Sequence, residues 1–456
     1  METAPLRVAV VGAGPAGIYA ADTLIKSVAG AAVDLFEKLP APFGLVRYGV
    51  APDHPRIKQI VHALHRVLDH PNVRLFGNVH YGTDVALADL REHYDAVVFA
   101  TGCERDRDLD VPGVELPGSH GAAEFVRWYD GHPDVGREWT LDARSVAVIG
   151  AGNVALDVAR VLAKSAGDML GTEIPDAVHR GLVANPATDV HVFARRGLAQ
   201  ARFSPMELRE LDHVPGLEVI VDPEDMEFDA VSETEARGDK HVGMVVKILQ
   251  EWALRDRRGD PRRVHLHFLT RPDRVLGTDR VEGLRVERTA YTGDGSVRGT
   301  GVFTEYPVGA VYRAVGYTGS HLAELPFDHE RGVLPHVAGR VRDIDGQELP
   351  GVYAVGWIKR GPVGLIGHTK GCASETVRSL LADVPGLRRA PRRSPDAMPQ
   401  LLDRRGIDYT SWDGWLALDK HERGLGEARG RERIKVVPRG DMVDISRAGL
   451  STAFPA

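Results

Sequence analysis

Cysteine is nearly missing from this 456-residue chain: Cys103 and Cys372 are the only two. They lie far apart in sequence, so no CxxC pair exists to form a redox dithiol, a zinc knuckle or an iron–sulfur site, and no metal centre is expected. Long apolar runs are also missing, and nothing approaches the roughly 18 residues that a membrane helix needs. A strong positive balance is absent too. The net charge of −7 argues against nonspecific nucleic-acid binding as the main task. The opening METAPLRVAVVGAG runs straight into a strand pattern, without the basic region and cleavage site of a secretory signal, so a cytoplasmic location is expected.

Glycine, by contrast, is abundant: 50 residues, about 11 per cent where about 7 per cent is usual, with no collagen-like period. Much of it falls in clusters. The first is Arg7-Val-Ala-Val-Val-Gly12-Ala13-Gly14-Pro15-Ala16-Gly17, a continuous apolar strand, a turn and a helix start. Gly12 allows the tight turn, Gly14 lets backbone approach a pyrophosphate, and Gly17 permits close helix packing, with the helix N-terminus facing the phosphate charge. A second strand over Ala32–Glu37 ends in a carboxylate about 20 to 25 residues downstream, where a ribose hydroxyl is held. Glu37 is the expected ribose ligand, with Pro15, Ala16 and Lys38 beside it.

The second cluster is Ser145-Val-Ala-Val-Ile-Gly150-Ala151-Gly152-Asn153-Val154-Ala155, with alanine at the third position. The strand that follows, Asp189–Ala194, ends in Arg195-Arg196. Two guanidiniums suit a 2′-phosphate through charge-assisted, bidentate bonds, whereas a carboxylate there would repel it. This site is expected to take NADPH, with Asn153 and Val154 over its pyrophosphate. Two nicotinamides have no useful hydride to exchange, so the first site reads as a flavin site and FAD as its cofactor.

Two further strand–glycine segments, one ending at Thr101-Gly102 and one spanning Ala310–Tyr317, mark the crossings between the folds. Near the end, Gly351–Val377 reads as strand, loop and helix. The glycines of Gly356-Trp357 and Gly364-Leu365-Ile366 let backbone approach the isoalloxazine, and a helix beginning near Gly371 aims its positive end at the ring. The expected fold is α/β, with two three-layer Rossmann-like domains. An NADP domain (105–320) is inserted into a discontinuous FAD domain (1–104 and 321–456), so a length suggesting about three units resolves into two.

The residues resemble a known family, the adrenodoxin-reductase-like NADPH–ferredoxin reductases, related in fold to glutathione reductase. The resemblance rests on Gly12–Gly17, on PFGLVRYGVAPDHP over 42–55, on GNVALDVAR over 152–160, on Arg195-Arg196-Gly197 with ELRE at 207–210, and on GWIKRGP over 356–362. It implies noncovalent FAD, hydride transfer from NADPH to the flavin, and electrons leaving one at a time to a ferredoxin. It also implies cofactor contacts for Gly44, Leu45 and Val46. The His of the APDHP motif, here His54, is placed near the flavin and paired with Glu207. Imidazole changes charge near neutral pH and so can hold or pass a proton.

An acidic partner is expected to meet Arg209 and the basic stretch Lys247–Arg263, in which Lys247, Arg255, Arg257, Arg258, Arg262 and Arg263 outnumber Glu251, Asp256 and Asp260. Phe228–Arg263 carries no recognisable motif, and the stretch from Arg388 reads as a linker leading to a closing helical element. A monomer is expected. Two other readings stay open, a flavin monooxygenase and a nucleotide-binding module without turnover; a flavin disulfide reductase lacks its cysteine pair.

Overall fold

A computed structural model describes residues 5–364 and 367–451. The chain divides into two compact units. One comprises Met1–Arg105, Asp130–Asp134 and Tyr317–Ala456; the other comprises Asp106–Tyr129 and Val135–Gly316.

The first unit is built on a seven-stranded sheet. Strands β1 (Arg7–Val11), β2 (Ala32–Glu37), β3 (Val73–Gly77) and β4 (Ala96–Phe99) are joined by three late segments in the order His336–Val337, Arg340–Arg342, Glu348–Ala354, β4, β1, β2, β3. Pairing is parallel from Glu348–Ala354 through to β3. The run Arg7-Val-Ala-Val-Val is buried along its whole length, as a strand covered on both faces requires. Val8 and Val10 pack into one cluster with Ile18, Leu24 and Val377. Ala9 and Val11 pack into another with Phe36, Leu90 and Phe99. Helices Pro15–Ser27 and His368–Asp383 thus cover one face of a three-layer unit.

The stretch after Arg388 is fastened rather than loose. The buried Asp95 carboxylate accepts the N–H of Arg7 (2.9 Å) and of Ala390 (2.9 Å) and pairs with Arg389 and Arg393. Beyond it, Glu422 in helix Trp412–Glu427 is fully buried and takes the Arg47 guanidinium bidentately, at 2.6 and 3.0 Å. Arg433 (3.2 Å) and the Val436 N–H (2.9 Å) complete the carboxylate's partners. The Lys435 ammonium, also fully buried, donates to the Arg47 carbonyl (2.7 Å) and to the carbonyl (3.0 Å) and carboxylate (3.4 Å) of Asp130. These bonds tie the C-terminal helical region to the Arg47 backbone.

The second unit holds a six-stranded sheet of β5 (Ser119–Gly121), β6 (Ser145–Ile149), β7 (Asp189–Phe193), β8 (Leu217–Val221), β9 (Arg262–His267) and β10 (Ala310–Arg313). The order is β5-β10-β6-β7-β9-β8, parallel throughout. An antiparallel sheet of Thr270–Leu276, Gly283–Tyr291 and Val297–Tyr306 is inserted before β10. The motif-free Phe228–Arg263 segment forms helices Ala230–Gly238 and Lys240–Leu254, opened by the side chains of Asp229 and Asp239, both favourable N-caps.

Within the basic stretch Lys247–Arg263, four of the arginines are held by acceptors of the fold, while Lys247, Arg257 and Arg258 are exposed. Arg255 bonds Asp212 (2.7 Å) and the Val219 carbonyl, Arg258 pairs with Asp260, Arg262 reaches the carbonyls of Ala163 and Lys164, and Arg263 grips Asp189 (2.6 Å). Carboxylates of the fold thus partner Arg255, Arg258 and Arg263.

Between β7 and β9 three imidazoles stack: His191 lies 4.4 Å from His265 and 5.3 Å from His267, with Phe193 and Tyr306 alongside. The Nδ1 of His191 and the Nε2 of His267 share a 3.0 Å hydrogen bond, which requires one ring to donate and the other to accept. Burial, reinforced by the neighbouring imidazoles, pushes His191 down to about 4 and His267 down to about 3.

Two outcomes are expected. Glu422→Ala leaves Arg47 buried without its carboxylate, which costs about 3–5 kcal/mol, read as a lower urea midpoint with an unchanged slope. For the histidine stack, the folded state favours neutral rings while unfolded imidazoles protonate near pH 6.5. Stability is therefore complete above that pH and falls as pH drops towards 4. A series of melting temperatures across this window should show the loss, and His267→Phe should flatten it.

Candidate functional site

The first glycine turn leaves β1 and enters helix Pro15–Ser27, with Pro15 at its first position, where a missing N–H costs nothing. Gly12 has φ +110°, and a Cβ there would lie 2.5 Å from the Ala100 carbonyl oxygen; a Cβ on Gly17 would lie 2.0 Å from the Gly12 carbonyl oxygen. Neither position tolerates a side chain. At Gly14 only the Gly44 Cα comes within 4 Å, at 3.9 Å, so this side of the turn stands open beneath a helix N-terminus.

Glu37 closes β2 against that turn. Its buried carboxylate accepts the Ala13 N–H at 2.9 Å and the Leu39 N–H at 3.1 Å. Burial pushes its pKa up, opposed by those two donors. A carboxylate has about four acceptor positions, which leaves capacity for a hydroxyl donor. Lys38 is half-buried and ion-paired with Glu104. Thr101 and Gly102 follow β4 and are half-buried, with open space where a Gly102 Cβ would be.

The loop before Gly44 packs back onto the turn. Phe43 has φ +81°, a conformation that costs a non-glycine residue about 1–3 kcal/mol. It is held there by its N–H bond to the Ala13 carbonyl (2.8 Å) and by its ring against His65 and Trp415. Gly44 lies over Gly14; Leu45 is half-buried and Val46 buried. Gly356 meets Ala16 so closely that a Cβ would sit 2.5 Å from the Ala16 Cβ. Trp357 is thereby carried beside the same helix start, its ring stacked on Tyr317 at 6.1 Å. The two cysteines flank this loop, Cys103 donating to the Trp357 carbonyl and Cys372 accepting the Gly356 N–H. The helix expected near Gly371 begins earlier, at His368. Gly364 is exposed, and Leu365 and Ile366 lie outside the described residues. His54 is buried at the N-cap of the short helix Pro55–Lys58.

The second turn repeats the first. Gly150 has φ +152°, with the Ala314 carbonyl oxygen 2.3 Å from a built Cβ, and at Gly152 nothing lies within 4 Å. Ala155, in place of a third glycine, is fully buried. Helix Asn153–Ala163 starts here, with Val154 half-buried. The Asn153 side-chain oxygen accepts the Ser204 N–H at 2.8 Å, so this amide braces the protein as well as marking the helix start. Beyond β7, Arg195 is exposed and Arg196 half-buried. Their carbonyls are held by Thr289 (2.8 Å) and Leu269 (3.2 Å), while neither guanidinium has an acceptor among the described residues.

Glu207 is buried in helix Pro205–Asp212, which Ser204 caps. Its cation within the second unit is Arg160, at 3.4 Å, and Arg160 also holds Asp157 at 2.7 Å. Sequence reasoning quoted Asp157 and Arg160 only as part of a motif and missed Arg202 altogether. Arg202 pairs with the second turn as an isolated parallel bridge to Gly152; its only signal was its nearness to Arg195-Arg196.

A family model described as pyridine nucleotide-disulphide oxidoreductase matches residues 6–211. The chain is 37% identical over 459 aligned residues to the mitochondrial NADPH:adrenodoxin oxidoreductase of Arabidopsis thaliana, covering 96% of this chain and 95% of that one. It is 38% identical to the NADPH-ferredoxin reductase FprA of Mycobacterium tuberculosis, covering 98% and 99%. A probable ferredoxin/ferredoxin--NADP reductase of Mycobacterium bovis is 38% identical over 96% of this chain and 75% of its own length. Among solved structures, FprA of Mycobacterium tuberculosis in complex with NADPH superposes with a TM-score of 0.89 at 38% identity, covering 97% of this chain and 100% of that one.

Proposed function

The chain belongs to the family of NADPH–ferredoxin and NADPH–adrenodoxin reductases, and from that premise we propose that it oxidises NADPH and passes electrons singly, through noncovalent FAD, to a ferredoxin-type iron–sulfur protein. The observation that carries this reading is the pair of glycine turns with opposite chemistry at the following strand end: a buried carboxylate, Glu37, at one and, at the other, Arg195 and Arg196, two guanidiniums without an acceptor among the described residues.

The residues fit both dinucleotides. The open sides of Gly14 and Gly152 leave room for backbone to meet a pyrophosphate, and each lies at the start of a long helix. Glu37 keeps acceptor capacity for the FAD ribose, and Gly44, Val46, Thr101, Gly102, Gly356 and Trp357 line the same reading on the flavin side. When bound, FAD supplies the exchange between a two-electron hydride donor and a one-electron acceptor. Arg195 and Arg196 select the 2′-phosphate. His54 and Glu207 are the acid–base residues of this reading, His54 holding or releasing a proton at its imidazole.

The relative whose name joins ferredoxin to the reductase supports the choice of partner. No described helix is long and apolar enough to cross a membrane. The finer placement, a cytoplasmic monomer with an FAD domain over 1–104 and 321–456 and an NADP domain over 105–320, is part of the proposal and is checked by cell fractionation and light scattering.

Stopped-flow reduction should be faster and tighter with NADPH than with NADH; a preference for NADH would overturn the nucleotide assignment. Replacing Arg195 and Arg196 together by alanine should raise the NADPH KM about tenfold or more, since each charge-assisted bond contributes about 1.5–3 kcal/mol, and should narrow the preference over NADH. His54→Gln should slow flavin reduction or change its profile between about pH 6 and 9 while leaving FAD content intact, which an absorbance spectrum reads directly. Oxygen consumption matched to NADPH, with no reduction of added ferredoxin, would favour a monooxygenase instead.

A further inference from the structure

We propose that Arg202 is a third phosphate-binding guanidinium of the second turn, directed at the nucleotide's pyrophosphate and separate from the pair that reads the 2′-phosphate. The inference rests on the NADPH reading above and assigns a residue that the motifs do not mark.

The Arg202 N–H donates to the Ala151 carbonyl at 2.7 Å, and Arg202 and Gly152 form a parallel β-bridge. Bridged partners project from the same face of the pair, because successive residues of extended chain alternate sides. The Gly152 face is the one with nothing within 4 Å of a built Cβ. Arg202 therefore projects on the side that the turn leaves open. Its side chain is exposed and has no acceptor among the described residues. This sets it apart from the inward-tied Arg255, Arg258, Arg262 and Arg263.

Two helix starts meet at the same place. Gly152 is the N-cap of helix Asn153–Ala163 and Ser204 that of helix Pro205–Asp212, and the bond from the Ser204 N–H to Asn153 joins them. Both helix dipoles favour an anion there. Arg195 and Arg196 occupy a different position, the end of β7, where the ribose of a bound nucleotide belongs. The division is one cation for the bridging phosphates and two for the terminal one.

The test is calorimetric titration of the FAD-loaded protein with NADP+ and with 2′-AMP, which carries the terminal phosphate and no pyrophosphate. Arg202→Ala should weaken NADP+ about tenfold and leave 2′-AMP unchanged, and Arg202→Lys should recover part of the loss. Arg195→Ala with Arg196→Ala should weaken both ligands. Because the bridge uses the Arg202 backbone, the alanine variant keeps it, and an unchanged melting temperature confirms the fold. Unchanged NADP+ affinity in Arg202→Ala, or equal losses for NADP+ and 2′-AMP, would overturn the assignment. Wild-type protein that fails to bind NADP+ would instead overturn the nucleotide reading beneath it.

Discussion

At the end of the first strand of each nucleotide-type turn, the backbone passes so close to the exit of a neighbouring strand that no Cβ fits between them. The contact is Gly12 against Ala100 in one unit and Gly150 against Ala314 in the other. Everything chemical in the two units hangs from that approach. It releases the chain into a helix aimed back at the turn, leaves the next glycine facing open space, and brings the end of the adjacent parallel strand alongside. What stands at that strand end then differs between the two units. The same steric demand, met twice, carries a carboxylate in one unit and guanidiniums in the other.

Features that depend on short-range spacing were legible in the sequence. Strands Ala32–Glu37 and Ser145–Ile149 and the close backbone approaches at Gly12 and Gly17 all follow from the order strand, glycine turn, helix. Features that depend on distant partners were not. Arg202 and Arg255 read alike as arginines in mixed surroundings; only the folded chain shows one tied to Asp212 and the other set against an open turn. The stretch after Arg388 looked like a linker because its anchor, Asp95, lies almost three hundred positions earlier, at a separation of 295 from Ala390. The helices after Phe228 had a local signal in Asp229 and Asp239, but no motif led to it.

Arginine is put to two uses in this chain. Where a carboxylate or carbonyl waits in the fold, as at Asp95, Asp189 and Glu422, the planar fork satisfies it and the charge is spent internally. At Arg195, Arg196 and Arg202 no acceptor for the guanidinium is found among the described residues. A count of basic residues along the sequence does not separate these cases.

The short segment Asp130–Asp134 belongs with the first compact unit although its flanking residues belong to the second, and its Asp130 is the counter-charge of the fully buried Lys435. The insertion is therefore not a cassette. A recombination event that exchanged everything from Asp106 to Gly316 would carry away a carboxylate that the recipient's own interior needs, stranding an ammonium in a dry core. Exchange of this piece is constrained at the five residues Asp130–Asp134 in its middle, as well as at the two junctions where a fusion would be drawn.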